Sequence, residues 1–274
     1  MRLGGPVFDV ALGDTAGWVA AHRAAGYRAA YCPLDPMKVD DGLVTAYRDA
    51  AVKNDLVFAE VGGWSNPMDA DAGKAEAAFK KCCAALELAD RLGARCAVNI
   101  AGSVGAKWDG PDARDLTPAA FEKIVAITRR IVDAVKPTRA VYTLETMPWM
   151  YPDSTESYVA LLRAIDRKMV GVHFDPVNLV NSPAKYFDTG RVVREFVAAL
   201  GDKIVAAHCK DIIMREELTV HLDECAPGMG RFDYPALIGA LRGLGDADLP
   251  LMLEHLPREA YGAAGAFMRK VLGE

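Results

Sequence analysis

Short apolar runs rich in β-branched and aromatic residues alternate along the chain with longer stretches whose apolar positions recur at helical spacing. The runs at 5–10, 28–32, 56–61, 95–100, 140–145, 170–175, 204–208 and 250–254 predict strands. Helical stretches between and after them include 16–25, 72–92, 118–135, 157–166, 192–200, 234–244 and 261–272. Punctuation agrees with this reading: Thr117 before Pro118 forms a helix start, and Gly26, Gly93 and Gly245 stand where helices should stop. Runs such as VGVHF, IVAAH and LMLE are apolar without alternation, as in strands of a parallel sheet buried on both faces. Eight such βα units with no linker-like Pro/Gly/Ser tract predict one α/β domain over 1–274, a single (β/α)8 TIM barrel. An open doubly wound sheet would need GxGxxG after the first strand, whereas Gly4-Gly5 precedes it.

Composition narrows the function classes. The chain of 274 residues is 51% hydrophobic and 25% charged, ample for a large core, and its net charge of -5 offers no excess of cations to a phosphate backbone. Nucleic acid is therefore not expected as a general partner. The first residues contain no basic patch followed by an apolar signal segment, and no apolar run approaches the length of a membrane span, so a cytoplasmic protein without membrane partners is expected. Six cysteines form no CxxC pair and read as small buried apolar residues.

Barrel active sites collect where the strands end at their C-terminal side. Here the fifth to eighth predicted strands end in VYTLE at Glu145, VGVHFD at Asp175, IVAAH at His208 and LMLE at Glu254. Three carboxylates crowded into one barrel mouth repel one another unless a cation or a shared proton compensates them. An eight-strand barrel places the fifth and eighth strands roughly 14 Å apart across its mouth, a gap two glutamates span when both reach one ion. Glu145, Asp175, His208 and Glu254 are accordingly expected to bind a single divalent metal, with Mn²⁺ favoured and Mg²⁺, Co²⁺ and Zn²⁺ open.

The order Glu, Asp, His, Glu on those strands, with LETMP, HFDPVN, AHCKD, PGMGRFDY and LEHL around it, resembles the xylose isomerase-like TIM-barrel superfamily, also called sugar phosphate isomerase/epimerase. The resemblance covers essentially the whole chain. It implies a divalent metal, a polyhydroxy carbonyl substrate and chemistry at the carbon beside the carbonyl. In the epimerases of the family two glutamates face opposite sides of that carbon, roles that would fall to Glu145 and Glu254. Many members carry a histidine three residues after the aspartate, where this chain has Asn178. Other branches are dehydratases or lyases acting on keto-inositols, dehydroshikimate or 3-keto-glycosides.

Further candidates follow from position. His173, two before Asp175, is expected on the same side of its strand, a layer below the metal, and Lys210, two after His208, to stabilise an enolate oxygen. Glu60, Asn99 and Asn178 are expected to contact substrate, His221 and Glu224 to form a mobile acid or base in a long loop, and Trp108 to join Trp64, Trp149 and Tyr151 around a sugar-like ring. His22 reads as structural, and PGMGRFDY as a backbone support, not a phosphate site. The function expected is a metal-dependent isomerase or epimerase of a ketose-like compound acting through an enediolate, with a dehydratase or lyase as the alternative. A DNA-repair endonuclease on the same barrel would need several more histidines than the five present. A homo-oligomer is left open.

Overall fold

The computed structural model describes residues 1–274. Its strands are β1 (Arg2–Gly4), β2 (Ala29–Tyr31), β3 (Val57–Gly62), β4 (Cys96–Asn99), β5 (Val141–Glu145), β6 (Val170–Phe174), β7 (Ile204–Cys209), β8 (Asp211–Arg215), β9 (His221–Cys225) and β10 (Pro250–Leu253). Eight of them close a barrel of parallel pairs in the order β1-β10-β7-β6-β5-β4-β3-β2, while β8 and β9 form a separate antiparallel hairpin. Around the barrel lie α1 (Thr15–Ala25), α2 (Asp41–Lys53), α3 (Ala72–Leu92), α4 (Pro118–Val135), α5 (Thr155–Ile165), α6 (Pro183–Tyr186), α7 (Thr189–Leu200), α8 (Tyr234–Arg242) and α9 (Tyr261–Leu272). The fold is thus a (β/α)8 TIM barrel with a hairpin inserted after β7. No helix is long and apolar enough to cross a membrane.

Three elements differ from the sequence expectation. The first strand is Arg2–Gly4 and not 5–10. Gly4 permits the close approach of β1 to β2, because a Cβ there would meet the Ala29 carbonyl oxygen and Met252 Sδ at 2.5 Å. Arg2 is buried within this strand because Asp55 and Asp248 each take an Arg2 nitrogen at 2.7 Å. Segment 5–10 instead leaves the sheet, and its Pro6 lines the reaction cavity described below. Helix α2 fills the second crossover, starting at Asp40, whose side chain accepts from the Leu43 amide, and burying Val44, Tyr47 and Ala51. The segment read as a loop after the seventh strand contains the β8–β9 hairpin, whose register runs from Asp211↔Cys225 to Arg215↔His221.

Most apolar burial lies between the strands and the helices, where Phe174 of β6 and Phe196 of α7 stack at 4.2 Å between centroids. Phe196→Ala is expected to destabilise the protein by about 3–5 kcal/mol by leaving a cavity at this seam, measurable by urea unfolding. Inside the barrel the residues are small or polar. Cys96, Val98 and Ala206 form one cluster there and Ala29, Ala59 and Met252 another, leaving room above them for ionisable side chains. Pairing slips by one residue twice: between Ala30 and Tyr31 of β2, where Tyr31 pairs with Glu60, and between Val172 and His173 of β6, where His173 pairs with Ala206.

Candidate metal centre and reaction cavity

Strand parity brings the charged residues together. Glu145 closes β5, Asp175 follows β6, His208 lies one residue from the end of β7, and Glu254 follows β10. One ligand atom from each falls within 4.8 Å of all the others. His208 Nδ1 faces Glu254 Oε1 at 2.8 Å, Glu145 Oε1 at 3.3 Å and Asp175 Oδ2 at 3.8 Å. Asp175 Oδ1 accepts from the Val177 and Asn178 amides at 3.1 and 3.2 Å, a turn that fixes the carboxylate and turns Oδ2 toward the cluster. Asn178 Nδ2 donates to Glu145 Oε1 at 3.2 Å and to the Thr146 carbonyl at 3.0 Å, steadying the glutamate from the side.

Lys210 is buried beside them, with Nζ 2.7 Å from both Asp175 Oδ2 and Glu254 Oε1, 3.3 Å from Glu224 and 3.9 Å from Glu145. Despite these distances, Asp175 Oδ2 and Glu254 Oε1 have no hydrogen bond of proper geometry, nor does His208 Nε2. These oxygens pair with Lys210 by charge and keep lone pairs free for a further cation. Four carboxylates, Glu60, Glu145, Asp175 and Glu254, against one ammonium leave three negative charges when the imidazoles are neutral, an excess a divalent ion would reduce to one. Hard oxygen donors with one imidazole suit Mn²⁺, Mg²⁺, Co²⁺ or Zn²⁺. These residues therefore fit a divalent metal.

Electrostatics separates the carboxylates. Burial lifts Glu145 above the usual carboxylate range. Burial acts the same way on Asp175, but Lys210 and His208 outweigh it and hold that carboxyl well below the range. At Glu254 the neighbouring His208 likewise overcomes burial and lowers the carboxyl. Burial opposes the charge of Lys210, yet Asp175 and Glu254 keep the ammonium firmly protonated.

Above this cluster opens a cavity of about 780 Å³. Glu145, Glu254, Lys210, Asn178 and Glu60 form its floor, and Trp64, Trp108, Trp149 and Tyr31 stand among its walls. Trp149 Nε1 donates to the Asp109 carbonyl at 3.0 Å, linking the loops after β5 and β4. Glu224, on β9, reaches the cavity and faces His255, whose Nδ1 lies 3.3 Å from Oε1.

Two candidates stand elsewhere. Val98 points into the barrel, so its neighbour Asn99 points out toward α3, where its amide donates to the Ser65 carbonyl at 3.0 Å and accepts from the Ser65 amide at 3.1 Å. Asn99 does not line the cavity. His221, at the turn end of the hairpin opposite Arg215, is exposed and outside the cavity lining. Asn99→Ala is expected to cost about 1–3 kcal/mol on unfolding through the unpaired Ser65 backbone groups, and His221→Ala to leave stability and metal content unchanged. His173 is fully buried below the cavity, bonded through Nε2 to Glu60 at 2.7 Å. Tyr31 and His255 were not singled out as site residues in the sequence. Tyr31 ends β2, so the strand-end rule contained its signal, whereas His255 takes a left-handed backbone, φ 54, that no sequence pattern announces.

The family model described as xylose isomerase-like TIM barrel matches residues 19–271. The chain belongs to that family. Among solved structures, this xylose isomerase-like barrel is similar to L-ribulose 3-epimerase at 19% identity, covering 99% of this chain and 93% of the other with a TM-score of 0.73. It is similar also to the probable 3-DHS dehydratase AsbF of Bacillus anthracis, at 16% identity, 99% and 98% coverage and a TM-score of 0.72. Endonuclease IV from Thermus thermophilus shares the fold as well, at 16% identity, 100% and 99% coverage and a TM-score of 0.71. No curated protein sequence matches the chain significantly.

Proposed function

We propose that this barrel is a divalent-metal-dependent isomerase or epimerase of a ketose-like polyhydroxy carbonyl compound. The observation that carries the reading is the approach of Glu145 and Glu254 from opposite walls to one imidazole, at 3.3 and 2.8 Å, on the floor of the cavity. Glu145, Asp175, His208 and Glu254 would hold the ion, Mn²⁺ being our choice, and bound metal supplies polarisation of the substrate carbonyl. Glu254 and Glu145, which reach the cavity floor from different walls, would remove the proton from the adjacent carbon and return one to its other face. The Lys210 ammonium offsets negative charge developing on the substrate oxygens as the enediolate forms. Trp64, Trp108 and Trp149 give the cavity flat apolar walls suited to the CH faces of a sugar and exclude water from the floor. A concave floor of this kind fits a small molecule, and likeness to L-ribulose 3-epimerase supports a carbohydrate.

The Glu224–His255 pair favours a second reading, a dehydratase or lyase acting on a cyclic keto-polyol or 3-keto-glycoside. Its hydrogen bond to Glu224 raises the pKa of His255, which favours the protonated ring at the cavity edge, a donor suited to a departing oxygen. One experiment separates the two. Mn²⁺-loaded protein is incubated with ketohexoses, ketopentoses and keto-inositols in deuterium oxide and followed by mass and ultraviolet absorbance. One deuterium in recovered sugar without an enone supports the isomerase, an absorbing enone supports the lyase, and neither product across the panel contradicts both.

A further inference from the structure

Beneath the four ligands lies a second buried cluster, which shares His208 with them and whose Glu60 and His173 the proposed reaction does not use. Glu60, His173 and His208 lie within 4.8 Å of one another through their ligand atoms, all inside the barrel and closed to solvent. Glu60 Oε2 accepts from His173 Nε2 at 2.7 Å and lies 3.4 Å from His208 Nε2, a contact short of hydrogen-bond geometry, while Glu145, Asp175 and Glu254 meet the same ring at Nδ1. The His173 and His208 rings meet edge to face at 4.1 Å. His173 Nδ1 has no partner, so its ring proton belongs on Nε2, where Glu60 receives it.

The backbone is adjusted to make this contact. The barrel's two register shifts lie in the strands that carry Glu60 and His208. One lies in β3, where Tyr31 pairs with Glu60 and skips Ala59, and the other in β7, where His173 pairs with Ala206 and skips Val205. Such bulges re-aim the side chains that follow them. Here the first directly precedes Glu60, and the second lies three residues before His208.

We infer that Glu60, clamped by His173, is a positioning residue that holds the proton of His208 on Nε2 and so presents Nδ1 to the metal. The inference rests on the metal-centre reading above. An imidazole that coordinates through Nδ1 carries its proton on Nε2, and a carboxylate facing that proton fixes the ring and makes the coordinating nitrogen a stronger donor. Glu60 thereby serves the metal from its place in the cavity floor. The competing arrangement, a second ion held by Glu60, His173 and His208, would require His208 to give a nitrogen to each of two cations.

Mn²⁺ titration of chelator-dialysed protein in competition with a chelating dye tests this. Wild type is expected to bind one Mn²⁺ per chain, and Glu60→Gln one Mn²⁺ about 10–100-fold more weakly. His173→Gln, which keeps an N–H for Glu60, is expected to retain wild-type affinity, while His173→Leu weakens binding. The His173 pair also serves should Glu60→Gln fail to fold. Nitrogen-15 shifts of the Zn²⁺-loaded protein should show His208 protonated on Nε2, and exchange of that proton should quicken in Glu60→Gln. Equal Mn²⁺ affinity in wild type and Glu60→Gln overturns the role of Glu60, as do two Mn²⁺ per chain with one lost in that variant. A wild type that binds no Mn²⁺ overturns the metal centre itself together with this inference.

Discussion

Lys210→Met is expected to cost the metal-free protein about 3–5 kcal/mol, because it leaves buried carboxylates without their ammonium. The side chain is almost fully buried, so little solvent screening softens the loss. Methionine has nearly the same length, which separates the charge effect from a packing effect. Urea unfolding after dialysis against a chelator measures it. Asp175 is held well below its ordinary pKa with Lys210 among the causes, so its contribution is present above the unfolded carboxylate pKa and disappears as acid protonates it. The deficit of the variant should therefore be full at neutral pH and shrink as the pH falls. Mn²⁺ should restore more stability to the variant than to wild type, since an ion binding only the folded state then supplies the missing positive charge. A variant as stable as wild type at neutral pH would mean that the carboxylates are already neutral.

The second large effect concerns the two glutamates. Glu145→Gln and Glu254→Gln are each expected to lower interconversion about 10²–10⁴-fold, the range for loss of a positioned general acid or base. Their isotope patterns should differ. Each glutamate serves one face of the reacting carbon, so each variant should still exchange the proton of one epimer with deuterium oxide and fail with the other. Loss of exchange from both epimers in both variants, with metal retained, would point to a single base.

Much of this was legible in the sequence because it follows from period and position. Seven of the barrel strands fall within or beside the apolar runs, and the ligands stand at strand ends, where a barrel must present its chemistry. The rest depended on backbone geometry. Segment 5–10 is a short apolar run, but β1 is the preceding Arg2–Gly4, chosen because Asp55 and Asp248 neutralise Arg2 and Gly4 lets β2 approach. The hairpin was readable in principle, since Ile212, Met214 and Leu222 share a packed face. It decides which loop residues matter: it brings Glu224 to Lys210 and carries His221 away. Asn99 lies outside the cavity lining by one step of strand parity, and the role of Glu60 depends on a register slip that no composition or spacing reveals.

The central claim is a single divalent ion held by Glu145, Asp175, His208 and Glu254, and metal content tests it most directly. Elemental analysis of protein reconstituted with Mn²⁺ and freed of excess should give one ion per chain in wild type and almost none in His208→Ala, with the variant still folded by circular dichroism. Wild type without metal, or His208→Ala retaining the full complement, would contradict the centre.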